Sequence, residues 1–238
     1  MTARLEVQDL SVAYGGRMAV DRASFACAPG ELVALLGANG AGKSSLIRAV
    51  SGAETPVSGA VLLDGRDVTA LPLERRARAG IGWCPEGRRL FPGLSVDETL
   101  DIAATGTRAI DHAFSVFPTL AERRDALAWT LSGGQQQMLA IARALVAEPA
   151  AILLDEPSLG LAPTALDGLF AAIRSLADEG LTVVLAEQAV PRTLAIADRA
   201  IVLRRGSIVL DVPAERLDGS VVASAMLDAP LDASGTGA

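Results

Sequence analysis

The chain has 238 residues, half of them apolar, with 21 basic against 28 acidic side chains and a formal net charge of −7. That length fits one large domain, or a domain carrying an inserted lobe. The acidic balance and the 3% aromatic content argue against nonspecific nucleic-acid binding and against base-stacking platforms.

No uninterrupted apolar run reaches about 18 residues, so no transmembrane helix is expected. The stretch from Met138 to Leu154 comes nearest and is broken by Arg143, Glu148 and Pro149. The N-terminus lacks the basic, apolar, small-residue order of a signal peptide. Cys27 and Cys84 are the only cysteines. They are too few for a disulfide framework and read as reduced, buried thiols. His112 is the only histidine, so a His-based metal cluster or a Ser-His-Asp triad is poorly supplied.

Arg4 to Ala13 alternates apolar and polar residues as a half-buried strand does. Pro29-Gly30 is a turn, and Leu32 to Leu36 is a short buried strand. A helix is expected from Lys43 to Gly52. Val57 to Val68 reads as strand, Asp64-Gly65 turn, strand, and Ile81 to Cys84 as another strand ending at Pro85. Ser95 with Glu98 three residues on forms a capping-box pattern. From there to Trp129 the periodicity is helical. A further helix runs from Gly133 to Ala147, with Met138, Ile141 and Leu145 on one face, and Pro149 ends it. Ala151 to Leu154 is an apolar strand, Pro163 to Ala177 a helix, Thr182 to Ala186 a strand and Pro191 to Ala197 a helix. Ala200 to Leu203 and Ile208 to Leu210 form a last pair of strands around Arg205-Gly206. Alternating strands and helices at both ends imply an α/β fold with a mostly parallel sheet covered on both faces. The all-helical middle, at about residues 87–148, reads as an inserted lobe. The domain is expected to span residues 1–218, and the Ala, Ser, Asp and Gly-rich tail 219–238 to fray.

Three segments carry chemistry. Gly37-Ala38-Asn39-Gly40-Ala41-Gly42-Lys43-Ser44, followed by Ser45, fits the phosphate-binding P-loop pattern at a strand-to-helix turn. Its glycines let successive N–H groups point inward, and the helix adds its positive end. Lys43 is placed for the β/γ-phosphates and the Ser44 hydroxyl for Mg²⁺. A glycine-rich turn before a helix would explain the glycines but not Lys-Ser at the helix start. Next, an apolar strand ends in Asp155-Glu156-Pro157. Asp155 suits Mg²⁺, held through its waters, and Glu156 suits orienting or deprotonating an attacking water. Taken alone, the two acids could equally cap the next helix. Finally, Leu131-Ser132-Gly133-Gly134-Gln135 opens a helix with a good N-cap and two glycines that permit close backbone approach.

In this order, the three motifs resemble the nucleotide-binding domain of ATP-binding cassette (ABC) proteins, over about residues 4 to 218. Within that family the chain looks most like one ATPase subunit of branched-chain amino-acid importers. The residues that carry the narrower likeness are the P-loop, Pro85-Glu86-Gly87-Arg88-Arg89-Leu90-Phe91-Pro92, the run from Gly133 to Leu145, Asp155-Glu156-Pro157-Ser158-Leu159-Gly160-Leu161-Ala162-Pro163, and Ala186-Glu187-Gln188.

The resemblance implies a P-loop NTPase core with an N-terminal antiparallel β subdomain and an inserted α lobe. It implies ATP and Mg²⁺ as cofactors, and a head-to-tail dimer with a second ATPase subunit, of the same or a related chain. ATP on the P-loop of one subunit would be covered by Ser132, Gly133, Gly134 and Gln135 of the other. Tyr14 would stack on adenine, and Ser158 to Leu161 would speak across the dimer. Glu86 stands where many members place a metal-contacting Gln, and Gln188 where many place a switch histidine. Arg88, Arg89 and Phe91 would lie where a permease docks. Implied partners are permease subunits and, indirectly, a periplasmic or extracellular substrate-binding protein, with no nucleic acid. The implied location is the cytoplasmic face of the plasma (inner) membrane. Urea, amide or lipid cargo, or a soluble clamp acting on nucleic acid or the ribosome, are the alternatives the resemblance leaves.

Overall fold

The computed structural model describes residues 4–226. In chain order the elements are β1 (Leu5–Tyr14), β2 (Arg17–Cys27), β3 (Leu32–Leu36), α1 (Lys43–Ser51), β4 (Ser58–Leu63), β5 (Arg66–Asp67), α2 (Leu73–Ala79) and β6 (Ile81–Cys84). There follow α3 (Val96–Asp101), α4 (Thr107–Val116), α5 (Pro118–Ala121) and α6 (Gly133–Leu145). The chain continues through β7 (Ala151–Asp155), α7 (Pro163–Asp178), β8 (Thr182–Glu187), α8 (Val190–Ile196), β9 (Arg199–Arg204), β10 (Ser207–Pro213) and α9 (Gly219–Met226).

Two sheets form. The smaller is antiparallel, in the order β2-β1-β4-β5. The larger has the order β10-β9-β3-β8-β7-β6 and is parallel throughout except for β10. Every residue of β3, β7 and β8 is buried, as the near-continuous apolar runs of a doubly covered parallel sheet require. Alternation divides them between two faces. Val33, Leu35, Leu153, Val184 and Ala186 pack with Leu46 and Ile47 of α1 and with the antiparallel sheet. Leu32, Ile152, Leu154, Val183 and Leu185 pack with Leu139 and Ile141 of α6, Phe170 and Ile173 of α7, and the helical insert.

The insert, α3 to α5, lies in the chain between β6 and α6. Its first helix is closed by the expected capping box. Ser95 Oγ accepts the Glu98 amide at 3.2 Å, and Glu98 Oε2 accepts the Ser95 amide at 2.8 Å.

Two elements ahead of the C-terminal tail escaped the sequence reading. Strand β2 is hidden because the β1–β2 ladder is bulged three times, with Asp9 and Arg22 in left-handed backbone at φ 45° and 48°. Each bulge resets the period-2 pattern. Gly15 and Gly16, at φ 55° and 79°, form the two-residue turn that joins these strands. Helix α2 is only seven residues long and arginine-rich, so it offers no apolar period. Its one buried side chain, Arg76, ties it to the C-terminus of α1 by donating to the carbonyls of Ala49 and Val50 at 2.6 and 2.8 Å.

The tail corrects an expectation. From Gly219 to Met226 the chain is helical rather than frayed. Val222 and Ala225 of α9 pack on Ala34 and Leu36 of β3 and on Ala200 and Val202 of β9. The rest of the expected tail, 227–238, lies outside the described residues.

Candidate functional site

The C-terminal ends of β3, β7 and β8 lie side by side, since Leu36 pairs with Glu187 and Asp155 with Ala186. That is where ligands bind in open α/β sheets. The loop after β3 delivers the P-loop. Its helix α1 starts from Gly42, at φ 110°, with no side-chain cap, so the first amides are left for an external acceptor. The glycines are sterically required. A methyl group at Gly37 would lie 2.6 Å from the Leu203 carbonyl oxygen, and one at Gly42 would lie 2.5 Å from that of Ala19. The Ala41 amide donates to the Ala38 carbonyl at 3.0 Å, and the Gly206 amide donates to the Ala41 carbonyl at 2.8 Å. Ala38, Asn39 and Gly40 remain exposed, while Ala41 is buried and Ser45 half-buried.

Lys43 is buried at the centre of this arrangement. Its Nζ donates to the Gly37 carbonyl at 2.8 Å and lies 3.2 Å from Glu156 Oε1. Ser44 Oγ donates to Asp155 Oδ1 at 2.9 Å. Asp155 is 1% exposed, and its second oxygen, Oδ2, has no hydrogen-bond partner. Burial pushes the Asp155 carboxyl up from its ordinary range, the Ser44 hydrogen bond opposes this, and the charges of Glu156 and Glu86 add to the rise. Glu156 has left-handed backbone, φ 47°. Its amide donates to the Ala186 carbonyl at 2.9 Å, and Gln188 Nε2 donates to its Oε2 at 2.6 Å. Lys43, Ser44, Asp155, Glu156 and Gln188 therefore form one contiguous cluster.

The other candidates stand around it. Glu86 is exposed and lines a cleft of about 420 Å³ together with Glu156, Arg88, Arg89, Trp129 and Leu159. Arg88 Nη1 donates to Gln136 Oε1 at 2.9 Å, and Arg143 Nη1 to the Arg89 carbonyl at 2.7 Å, so the loop is pinned to α6. Phe91, Trp129 and Leu159 are each more than half exposed. Tyr14 ends β1 at the Gly15-Gly16 turn and is 41% exposed.

Ser132 caps α6. Its Oγ accepts the Gln135 amide at 3.3 Å, and Gln135 Oε1 accepts the Ser132 amide at 3.0 Å. Gly133 sits against the Arg88 guanidinium, and a methyl group at Gly134 would lie 2.7 Å from the Ala165 side chain. Among the described residues, no hydrogen bond joins this second glycine-rich helix start to the P-loop. His112 is remote from the cluster, with its Nε2 2.6 Å from Glu179 Oε2.

The sequence reading gave one buried charged residue beside the cluster no role of its own. Glu187, 2% exposed, accepts hydrogen bonds from Ser158 and from the Gln188 amide. The signal was a carboxylate closing an otherwise apolar and hydroxyl-bearing strand.

A family model described as ABC transporter matches residues 20–159. The chain is 42% identical to the high-affinity branched-chain amino acid transport ATP-binding protein BraG of Pseudomonas aeruginosa, over 87% of this chain and 91% of that one. It is 35% identical to the lipopolysaccharide export system ATP-binding protein LptB of Escherichia coli K12, over 87% and 89%. Its fold matches the ADP conformation of the ATP-binding cassette MJ1267 with a TM-score of 0.83 at 24% identity, over 94% and 96%.

Proposed function

The chain belongs to the ABC transporter family, and from that premise we propose that it is the ATP-hydrolysing subunit of an importer for branched-chain or related amino acids. One observation carries the hydrolytic reading. A buried carboxylate oxygen with no partner, Asp155 Oδ2, stands beside the Ser44 hydroxyl at the uncapped start of a glycine-loop helix. A buried acceptor left unmade is costly, and Mg²⁺ suits it. That ion binds through one or two carboxylates, retains waters and takes its remaining ligands from phosphates. Ser44 and Asp155 would hold it, with Glu86 at the rim. When bound, it would neutralise charge developing on the phosphate oxygens.

Lys43 brings its charge to the β/γ-phosphates, exchanging loop carbonyls for phosphate oxygens. Glu156 takes the proton of the attacking water, and Gln188 orients the Glu156 carboxylate through its amide. Tyr14 contacts the adenine. Ser132, Gly133, Gly134 and Gln135 close over the nucleotide of a second copy or a related ATPase chain, which gives the second helix start a phosphate to bind. Permease subunits dock on the Glu86–Pro92 loop, where Phe91 and Trp129 offer apolar surface beside Arg88 and Arg89. The subunit thus acts at the cytoplasmic face of the inner membrane and meets the substrate-binding protein only indirectly. No helix among the described residues is long and apolar enough to cross a membrane. The amino-acid cargo rests on the likeness to BraG, which exceeds that to LptB.

The test compares wild type with Lys43→Ala and Glu156→Gln. Lys43→Ala lowers hydrolysis by about 100-fold or more, the scale of removing one preorganised electrostatic group. Glu156→Gln retains ATP and accumulates as a dimer on size-exclusion chromatography with ATP and Mg²⁺. Normal turnover by Glu156→Gln overturns the assignment of the base. ATP-driven leucine uptake that persists with Lys43→Ala in the permease complex overturns the transport role.

A further inference from the structure

Strand β8 ends in a buried carboxylate. Glu187 forms no ion pair with any lysine or arginine among the described residues, so nothing of opposite charge repays its desolvation. Burial pushes its carboxyl up, and hydrogen bonds from Ser158, Gln188 and Ala189 oppose that rise. The donors come from two segments. The Ser158 amide donates to Oε1 at 2.8 Å and the Ser158 hydroxyl to Oε2 at 2.7 Å. The Gln188 amide donates to Oε2 at 3.1 Å. An ionised carboxylate accepts all of these at once because it is acceptor-only, with about four lone-pair directions.

The position of this junction gives it a use. The parallel β7–β8 ladder ends at the Asp155 and Ala186 pair. Beyond it, Glu156 adopts left-handed backbone, which a bulky residue keeps only where its surroundings over-determine it. Its amide still reaches the Ala186 carbonyl, and two residues later Ser158 is held by Glu187. Glu187 also holds the amide of Gln188, whose side chain donates to Glu156 Oε2 at 2.6 Å. One buried side chain thus grips the chain on the far side of Glu156 and the backbone that presents the Glu156 partner.

We propose that Glu187 is a positioning residue that sets the Glu156 carboxylate and joins the Ser158–Leu161 segment to the Gln188 loop. The proposal rests on the hydrolytic reading above. It adds that the cross-subunit segment and the Gln188 loop move as one body, so that displacement of either is felt at Glu156. An apolar residue at position 187 would fill the space without desolvating a charge, but it would leave the Ser158, Gln188 and Ala189 donors without this acceptor.

The variant Glu187→Gln tests this with little change of volume. An amide has one acceptor oxygen, so its NH₂ must face either the Ser158 or the Gln188 amide. The full chain would be followed by hydrogen exchange over residues 156–161 and 186–190, and by ATP hydrolysis with Mg²⁺. The expected result is faster exchange in both segments together. kcat should fall on the order of 10–100-fold, as for a displaced reacting group, with KM for ATP kept within about twofold. Ser158→Ala, which retains the amide donor, should give a smaller loss of the same kind. The double variant should be no worse than Glu187→Gln alone, because both act through one junction. Unchanged kcat and exchange would overturn the proposal. So would a kcat loss that tracks a fall in Tm and in bound nucleotide, which is general destabilisation. If the wild type itself hydrolyses no ATP, the hydrolytic reading fails, and the exchange result still decides whether Glu187 clamps the two segments.

Discussion

Replacing Arg76 by methionine keeps the straight-chain volume and removes every donor. The guanidinium is 1% exposed and donates to four carbonyls: Leu71 at 2.9 Å, Ala49 at 2.6 Å, Val50 at 2.8 Å and Thr69 at 2.5 Å. Two of these acceptors belong to the last turn of α1, the helix whose other end is the P-loop. The gross loss, at about 1.5–3 kcal/mol for each hydrogen bond from a charged donor, is large. Most of it is offset, because the variant no longer buries a cation at a cost of several kcal/mol. What remains is the penalty for stranding the Val50, Thr69 and Leu71 carbonyls, at the low end about 1 kcal/mol each, since the Ala49 carbonyl also accepts the Gly52 amide at 3.4 Å. The cation also loses its favourable place at a helix C-terminus, worth roughly 0.5 kcal/mol. The net expectation is about 4 kcal/mol of destabilisation. For a chain of this size that lowers Tm on the order of 10 °C. Lysine brings three donors from a single point and cannot span four carbonyls, so Arg76→Lys should fall between the two. Thermal melts followed by near-ultraviolet circular dichroism measure the shift, and urea titration at unchanged m-value confirms a stability effect. A Tm for Arg76→Met within about 2 °C of wild type would refute the reasoning.

Gly42→Ala should lower ATP affinity by more than about tenfold, because the new methyl meets the Ala19 carbonyl at 2.5 Å and φ is 110°. Isothermal titration with ATP and Mg²⁺ checks it. Asp155→Asn should raise Tm by roughly 2–4 °C in nucleotide-free protein with chelator, while abolishing metal-dependent hydrolysis. The sign follows from burial, which raises the Asp155 carboxyl in the folded state. The folded protein then holds this proton to higher pH than the unfolded chain, so stability falls as pH climbs from about 3.9 through the raised value. Above the raised range the site bears a buried anion that asparagine removes, and the gain should shrink on acidification toward that range. A lower Tm at neutral pH for Asp155→Asn would contradict this. Turnover should vary little between about pH 6 and 8, since Gln188 rather than a histidine contacts Glu156 and His112 pairs with Glu179. A bell-shaped profile centred near pH 6.5 would show that another group titrates in the site.

The local motifs were legible because their physics is local. A run such as Leu32 to Leu36 followed by Gly37 to Ser44 dictates a buried strand, a tight glycine turn and a helix start, and all three are present. The capping box at Ser95 and the N-cap at Ser132 were likewise written in neighbouring residues, and the structure completes the Ser132 cap with Gln135. Strand β2 was not, because its bulges break the period on which a strand is read. Helix α9 was not, because a small-residue tail looks like coil until β3 and β9 supply a surface for Val222 and Ala225.

The same division runs through the site. Residue type and order nominated Lys43, Ser44, Asp155 and Glu156 one by one, and the family resemblance added Gln188. That they touch depends on which strands are neighbours, and the order β3-β8-β7 is a property of the whole sheet. The roles of Arg76 and Glu187 were invisible in one dimension. Each is a charged residue whose meaning comes only from what surrounds it once water is excluded. Arg76 meets carbonyls up to 27 positions away in the chain, and Glu187 meets a serine 29 positions away. Periodicity and spacing report how a segment meets an interface. The partners of a buried charge are chosen by packing, and packing is decided only when the sheets and helices close on one another.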